Sequence, residues 1–343
     1  MSNAMSSFYR SQIEPFFRHP RILLCHALKR GLFNWMNDEQ YLKFIWLIRM
    51  GYPLDLDNPK TFNEKLQWLK LHDHNPQYTI MADKYEAKKF IAERVGEEYV
   101  VPNYGVWDSF DEIDFDALPE QFVLKTTHDN DSVFIVKDRD IFDKASAKRL
   151  LEKHLKINHF WWWREWAYKN IKPRIIAEKL LIDNNNTTIN DYKFFCFNGI
   201  PKFNYVCHHV SHGQNPVMTQ NDGSPEFTLS HNLRPLYRLK NLMGHLETYT
   251  FYDSNYNKIM CSKADWPATV ESEQPPFNFD KMKEIAAILS QGIPHVRVDF
   301  YEINGQLYVG ELTFYTSAGY EDFAPDEYNY KFGDMITLPE PNA

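Results

Sequence analysis

The segment HVRVDFYEINGQLYVGELTFY, from His295 to Tyr315, carries the clearest structural signal in the sequence. Two runs of alternating apolar residues flank Asn304-Gly305, and an Asn-Gly pair between such runs is the strongest short signal for a β-hairpin. Each predicted strand carries one carboxylate, Asp299 in the first and Glu311 in the second. An acid in an apolar strand costs free energy to bury unless it is paired or binds a metal, so both residues indicate a site.

The parity of the strands decides whether the two acids can act together. With a two-residue loop, Asp299 pairs with Gly310 and Glu311 points to the other face of the sheet. An odd loop or a bulge, which Gly305 permits, brings both acids to one face. Arg297 shares the face of Asp299. These residues alone leave two hypotheses equally open, a Mg²⁺ and phosphate site or an ion-pair cluster without a ligand.

The composition excludes several classes of protein. The chain has 343 residues, is 43% hydrophobic and 16% aromatic, and carries a formal net charge of −8. It can therefore build large cores, and its acidity argues against nucleic acid as a partner. The four cysteines form no CxxC pair, which fits a cytoplasmic protein. No signal peptide and no apolar run of about 18 residues is present.

The N-terminal arm differs from the rest of the chain because it is basic and aromatic. Its segment FYRSQIEPFFRHPRILLCHALKRGLFNWM is compatible with peripheral contact at the inner face of a membrane or with packing on the protein. The interrupted periodicity around Pro15 and Pro20 favours packing.

Periodicity along the chain predicts a mixed fold. Amphipathic helices are expected after Asn37 or Asp38, after Thr61 or Asn63, and up to Gly96. Strands are expected in EQFVLKTTH, PRIIAEKLLID and DYKFFCFNGIPKFNYVC. The hairpin signals favour antiparallel sheets, so the predicted fold class is α+β.

Three lysines occupy unusual positions. Lys125 stands late in an apolar strand, Lys193 lies within another strand, and Lys84 is placed at a predicted helix start, where a cation opposes the helix dipole. A single strand lysine is usually an edge residue whose amine reaches water. Three such lysines with two buried acids indicate a polyphosphate held by lysines and Mg²⁺.

The ordered set ADK, FVLKTTH, IIAEKLL, DYKFFCFNG and VRVDFY…NGQLYVGELTF resembles the ATP-grasp superfamily. It is most similar to the TupA-like branch, which is associated with teichuronopeptide and capsular polysaccharide synthesis, and the resemblance runs from about Thr61 to the C-terminus. It implies two antiparallel-sheet subdomains that hold ATP between them. The implied division is a helical arm over 5–60, an α/β subdomain over 61–120, a small lid subdomain over 121–185, and a C-terminal subdomain over 186–343 with an irregular insertion over 208–275.

The resemblance also implies roles for individual residues. Lys84 and Lys125 match the lysines that contact the phosphates of ATP. Glu178, Lys179 and Leu180 match the hinge that reads adenine, and Asp183 lies where a ribose-binding acid is often found. The remaining matches are Lys193 near the phosphates, Arg297 on the reacting phosphate, and Asp299 and Glu311 as Mg²⁺ ligands.

Two departures from the family pattern affect the phosphate site. Thr313 replaces the usual Asn two residues after the second acid, so Mg²⁺ would depend on the two carboxylates. The Gly-rich turn expected after Lys125 reads HDNDSV instead, with Asp129, Asn130, Asp131 and Ser132. These acids would recruit another metal, pair with lysines, or weaken ATP binding.

A tryptophan cluster and a group of histidines both resemble binding sites, but we do not interpret the first as a sugar site or the second as a metal site. Trp161, Trp162, Trp163 and Trp166 are candidates for stacking on sugar rings, but structural packing is the preferred interpretation, with at least one Trp exposed. His208, His209 and His212 have loose metal-like spacing, and we interpret them as acceptor-site or surface residues.

The resulting hypothesis is an ATP- and Mg²⁺-dependent carboxylate–amine ligase that acts through an acyl phosphate on an amino acid or a uronic-acid-containing glycan. One alternative is a glycosyltransferase that uses Asp129-Asn130-Asp131 as a DxD motif. The other is a catalytically silent scaffold that binds a nucleotide or glycan.

Overall fold

A computed structural model describes residues 27–28, 30–129, 131–183, 190–209, 247–263 and 273–340. Within these ranges the helices are α1 Asp38–Met50, α2 Phe62–His72, α3 Gln77–Ala82, α4 Glu86–Val95, α5 Lys144–Leu155, α6 Phe160–Trp163, α7 Phe279–Leu289 and α8 Glu327–Asp334. The strands are β1 Asn103–Trp107, β2 Phe122–Thr126, β3 Phe134–Val136, β4 Ile175–Lys179, β5 Asp191–Phe197, β6 Ile200–His209, β7 Glu247–Asp253, β8 Ser262–Lys263, β9 Val296–Ile303, β10 Gln306–Thr313 and β11 Phe323–Ala324.

A four-stranded sheet forms the smaller of two main layers. Its strand order is β1-β4-β2-β3, and all its pairings are antiparallel. One face packs on α5, where Leu124 and Ala177 of the sheet share a core with Ala147 and Leu151 of the helix. Lys125 and Glu178 directly follow these two core residues of the sheet, and successive side chains in a strand point to opposite faces. The opposite face of the sheet therefore carries Lys125 and Glu178.

A five-stranded antiparallel sheet forms the larger layer, with the order β10-β9-β5-β6-β7. Phe194, Val298 and Phe300 belong to the core that also contains Met282 and Ile285 of α7. Residues of alternate parity point to the other face, and these include Lys193 of β5 and Asp299 of β9, which are paired in register. The predicted α+β class with antiparallel sheets is therefore confirmed.

The hairpin of β9 and β10 contains a bulge that brings the two acids together. Asn304 and Gly305 have φ values of 52° and 80°, as a two-residue type I′ turn requires. The register then shifts between Val309 and Glu311, so Glu311 pairs with Asp299 and Gly310 is the extra residue. The bulge thus lies at Gly310, within β10, and not at Gly305 as the sequence suggested.

The helices before the sheets begin at side-chain caps. Asn37 accepts a hydrogen bond from the Gln40 amide, and Thr61 forms a reciprocal capping box with Glu64. Of the two cap candidates proposed for each helix, these are the ones observed. Tyr41, Ile45 and Trp46 of α1 pack in one cluster with Tyr320, which attaches the described part of the N-terminal arm to the C-terminal region.

The region 208–275 is not uniformly irregular. Its segment ETYTFYD forms β7, which pairs with β6 from Phe203↔Asp253 to His209↔Glu247. The alternation of Tyr and Phe with Thr in this segment is typical of a strand, although the surrounding polar sequence concealed it. Residues 210–246, which include His212, and residues 264–272 lie outside the described part of the chain.

The described residues include no helix that is both long and apolar enough to span a bilayer. Most of the segment proposed for membrane contact, Phe8 to Met36, lies outside the described ranges, namely its residues 8–26 and 29.

Candidate active site

Arg297 organises the charged face of the β9–β10 hairpin. Its Nε and Nη2 atoms donate hydrogen bonds of 2.6 Å to the two oxygens of Asp299, which is a bidentate pair. The same Nη2 donates to Glu311 at 3.0 Å and to Thr313 Oγ1 at 3.1 Å. The two acids therefore converge on one guanidinium, as the ion-pair hypothesis requires, and on one face, as the Mg²⁺ hypothesis requires.

Lys193 extends this charge centre onto β5. Its amine donates to Asp299 Oδ2 at 2.6 Å and also forms an ion pair with Asp191. Burial alone would lower the pKa of the Lys193 amine, but Asp191 and Asp299 raise it well above its usual value. Lys193 is therefore a permanent cation beside Arg297.

The opposite wall of the site comes from the four-stranded sheet and α4. The Glu178 carboxylate forms two ion pairs, from Oε2 to Lys125 Nζ at 2.5 Å and from Oε1 to Lys88 Nζ at 2.7 Å. Burial would raise the pKa of this carboxyl, but the two lysines hold it below its usual value. Lys88 was not predicted, because as one of several lysines in an amphipathic helix it gives no signal of its own in the sequence.

Lys84 connects the two walls. Its amine donates to the backbone oxygen of Asp129 at 2.5 Å, and its backbone amide donates to the oxygen of Thr127 at 2.9 Å. Burial lowers the pKa of Lys84, and the negative charge of Glu311 opposes that shift. Burial would raise the pKa of the Glu311 carboxyl, but nearby positive charges, with Lys84 the largest contributor, lower it to about 2.

The expected opposition between Lys84 and a helix dipole needs correction. Helix α4 begins at Glu86, and Asp83 accepts hydrogen bonds from the Tyr85 and Glu86 amides at 2.8 and 3.2 Å. Asp83 thus supplies the negative charge at this helix end. Lys84 lies just before the helix and points toward the loop after β2.

A cleft lies between α4 and the β10 strand of the hairpin and encloses about 410 Å³, including the part open to solvent. Lys84, Lys88, Tyr168 and Glu311 supply its polar lining. The apolar lining consists of Met81, Ala82, Ala87, Ile91, Val100, Val309 and Leu312, together with Gly310. Such a lining, apolar with a few convergent polar groups, is typical of a ligand site.

The predicted hinge lies at the end of β4. Lys179 is exposed, Leu180 is half-buried, and the Lys179 amide donates to the oxygen of Pro102 at 2.9 Å. The carboxylate of Glu178 forms ion pairs with Lys88 and Lys125 in this structure. Asp183 is half-buried and directly precedes residues 184–189, which are outside the described ranges.

The loop after β2 differs from what the sequence suggested. Asp129 is only 2% exposed, and its carboxylate accepts hydrogen bonds of 2.5 Å from Ser132 Oγ and His154 Nδ1. Its charge therefore lies inside the subdomain and does not face a bound phosphate. Asp131 is exposed and Asn130 is not described. Two aspartates in such different surroundings do not suit a DxD motif, which needs both carboxylates at one metal.

The tryptophan-rich segment packs largely against the protein. The ring of Trp166 stacks on that of His74, with 5.0 Å between the ring centroids. The ring of Trp163 packs against that of Tyr320, with 5.7 Å between the centroids. Trp161 is 41% exposed, in agreement with the expectation that one tryptophan would remain accessible.

Comparison with solved structures gives several low-scoring similarities. A D-alanine–D-alanine ligase from Bacillus anthracis is 17% identical, with a TM-score of 0.38, over 75% of this chain and 66% of that one. D-cycloserine synthetase DcsG is 14% identical (TM-score 0.37, 75% and 69% coverage), and VanG D-Ala:D-Ser ligase from Enterococcus faecalis is 12% identical (TM-score 0.36, 75% and 60% coverage). The chain spans just under two thirds of the length of the Bacillus anthracis ligase.

Comparison with protein families gives a clear result. No curated protein matches the chain at a significant level. A family model described as TupA-like ATPgrasp matches residues 64–210 and 245–337, which is well over half of the sequence and includes both charged walls of the cleft. The chain, with its ATP-grasp fold of two antiparallel sheets, belongs to the TupA-like ATP-grasp family.

Proposed function

We propose that this protein is an ATP- and Mg²⁺-dependent carboxylate–amine ligase. The observation that carries the proposal is the convergence of Asp299 and Glu311 on Arg297, across a cleft from Lys84 and Lys88. A cleft that pairs a basic wall with an acidic one suits a polyphosphate whose charge is shared between lysines and a divalent cation.

The donor set fits magnesium. Asp299 and Glu311 offer carboxylate oxygens, with the Thr313 hydroxyl beside them, and Mg²⁺ prefers oxygen ligands. Glu311 keeps 29% of its side chain exposed and has a pKa of about 2, so it is ionised and accessible at neutral pH. When bound, the ion would neutralise the phosphates and orient them.

The remaining roles fall to the side chains of the chain itself. Lys125, Lys84 and Lys88 would hold the phosphates, with Glu178 releasing its lysines as the nucleotide enters. Glu178 to Leu180 would lie along the adenine and Asp183 near the ribose. Arg297 and Lys193 would stabilise charge that develops on the transferred phosphoryl group.

The proposed reaction has two steps. A carboxylate oxygen of the substrate attacks the γ-phosphorus, the bond to the bridging oxygen of ADP breaks, and an acyl phosphate forms. An amine then attacks the acyl carbon, phosphate leaves, and the amine releases a proton to solvent to give the amide. Neither step requires a side-chain nucleophile.

We place the substrate among amino acids and uronic-acid-containing glycans of surface polysaccharide synthesis, such as capsular or teichuronopeptide-like polymers. This assignment rests on membership of the TupA-like family. A cytoplasmic location, with the N-terminal arm at the inner face of the membrane, would agree with such a substrate and belongs to the same proposal.

A thermal-shift panel with Mg·ATP, Mg·ADP, UDP and UDP-sugars tests the nucleotide. Mg·ATP at 100 times its dissociation constant should stabilise the protein by about 2.7 kcal/mol. Asp299→Asn and Lys125→Ala should lose that increment, measured against each variant's own baseline. Lys331→Ala, which removes a surface amine of α8 paired with Glu327, is the control.

Turnover is tested separately. Incubation with ATP, candidate carboxylates and hydroxylamine should yield a hydroxamate, because hydroxylamine captures an acyl phosphate. Stabilisation by ATP without any hydroxamate or ADP would support the silent scaffold instead. Stabilisation only by UDP-sugars would support the glycosyltransferase and refute the ligase.

A further inference from the structure

A cluster of metal-ligating side chains lies inside the small subdomain, apart from the charged hairpin. Asp129 comes from the loop after β2, His154 from the last turn of α5, and His159 from the residue before α6. One ligand atom of each lies within 4.8 Å of the others. The Asp129 carboxylate is fully buried, and the two imidazoles are 10% and 13% exposed.

One ring nitrogen of this cluster has unused bonding capacity. His159 Nε2 is buried, makes no hydrogen bond, and points at Asp129 Oδ2 from 3.7 Å. That separation is too long for a hydrogen bond. Leaving a buried polar atom unsatisfied costs free energy, and an imidazole nitrogen is the commonest metal ligand in proteins. The orphaned nitrogen therefore points to a ligand between it and the carboxylate.

We propose that Asp129, His154 and His159 form a Zn²⁺ site in which water takes the fourth tetrahedral position. At bond lengths of about 2.0–2.2 Å, the ligand atoms of a tetrahedral zinc lie roughly 3.3 Å apart. The pair separated by 3.7 Å already fits, and the pair of Asp129 and His154, now at 2.5 Å, opens by about 1 Å as zinc replaces their hydrogen bond. Two imidazoles with one carboxylate favour zinc over magnesium, which prefers oxygen ligands.

The surroundings hold the ligands in place. Ser132 Oγ donates to the second oxygen of Asp129, and the Thr126 amide donates to Ser132 Oγ at 2.9 Å. The ring of His128 bonds to the backbone oxygens of His154 and Ile157 at 3.2 and 2.9 Å, which fixes the end of α5. Such supporting bonds orient metal ligands and strengthen binding.

The site would connect the interior of the subdomain to the cleft. The side chain of Asp129 is a proposed ligand, while its backbone oxygen accepts the amine of Lys84. Zinc would thus tie the loop after β2 to α5 and α6 and, through that loop, fix Lys84 in the cleft. The site does not depend on the ligase assignment, because its ligands do not belong to the charged hairpin.

Metal titration of untagged, chelator-stripped full-length protein tests the proposal. Competition with a chromophoric chelator should show one Zn²⁺ per chain, and Co²⁺ should give the intense visible absorption of a tetrahedral site. His159→Gln and His154→Gln should each weaken Zn²⁺ binding by about 100-fold or more. His72 is a half-buried histidine whose ring packs at a tilt against Trp68, and His72→Gln should bind Zn²⁺ like the wild type.

Folding of each variant is followed by circular dichroism, and His159→Gln keeps the test decisive if His154→Gln does not fold. Zn²⁺ should also raise the urea midpoint of the wild type but not that of His159→Gln. Substoichiometric binding, or equal affinity in the wild type and His159→Gln, overturns the proposal.

Discussion

At the scale of single residues, His295 shows how burial controls a titratable group. Its ring packs among Phe62, Phe195 and Phe197, with centroids 4.9 to 5.8 Å away, and its Nδ1 bonds to the Cys196 oxygen at 3.0 Å. Burial lowers the pKa of His295 to about 3. The neutral ring is therefore part of the folded core at neutral pH.

Acid should destabilise the protein through this residue. The pKa of His295 in the folded protein lies below its unfolded value of about 6.5. The contribution of the neutral His295 ring to the free energy of unfolding is therefore present above pH 6.5 and is lost as the pH falls toward 3. The loss is on the order of 4 kcal/mol. Urea unfolding from pH 7 to 3.5 should show that His295→Phe loses this component of the pH dependence.

Phe197→Leu, which alters the packing around His295 without removing a titratable group, is the control for this measurement and should keep the wild-type pH dependence. An unchanged acid sensitivity in His295→Phe would contradict the account and assign the loss to carboxylates instead.

The same scale explains why some site residues could not be predicted. Arg297, Asp299 and Glu311 stood out because charged side chains interrupt an apolar alternation. Lys88 did not stand out, because its role depends on Glu178, which is 90 positions further along the chain. The sequence placed Asp129 in the loop expected to cover the phosphates, and only its hydrogen bonds with His154 and Ser132 show that it points inward.

At the scale of elements, the bulge in β10 is the decisive feature. Gly310 adds one residue between Val309 and Glu311 and allows Glu311 to pair directly with Asp299. A Cβ at Gly310 would lie 2.7 Å from the ring of Tyr301, so no larger residue fits without movement. The hairpin was predictable from Asn304-Gly305, but the position of the bulge depends on this cross-strand contact.

Filling the bulge should destabilise the hairpin. We expect Gly310→Ala to lower the free energy of unfolding by about 1–3 kcal/mol through overpacking against Tyr301. Urea unfolding measures the effect. In a double-mutant cycle with Tyr301→Ala, the second substitution removes the ring and should reduce the effect of Gly310→Ala. Strict additivity of the two substitutions would show that the ring is not the cause.

At the scale of the whole molecule, Lys84 and Glu311 couple the segment before α4 to the β9–β10 hairpin. They line one cleft from opposite walls, and each shifts the pKa of the other. Substituting one of them leaves the charge of the other less compensated in a buried setting. The two residues should therefore contribute to stability in a dependent manner.

A double-mutant cycle of Lys84→Met and Glu311→Gln tests this coupling. The double variant should be more stable than the sum of the single effects predicts, by about 1 kcal/mol. Equilibrium unfolding in urea gives the four free energies. Lys331→Met, which alters a surface ion pair of α8, should be additive with Glu311→Gln. Additivity of the Lys84 cycle would mean that the two walls are independent.

Local sequence was enough to predict the antiparallel hairpin and the helix caps at Asn37 and Thr61, and it marked Asp299 and Glu311 as unusual acids in apolar strands. These features depend on residues close together in the chain, where side-chain alternation, turn conformation and capping act locally. Three features emerge only from the folded chain, namely the bulge at Gly310, the inward direction of Asp129 and the pairing of Lys88 with Glu178. Those outcomes depend on packing and charge compensation between distant segments, which no local pattern specifies.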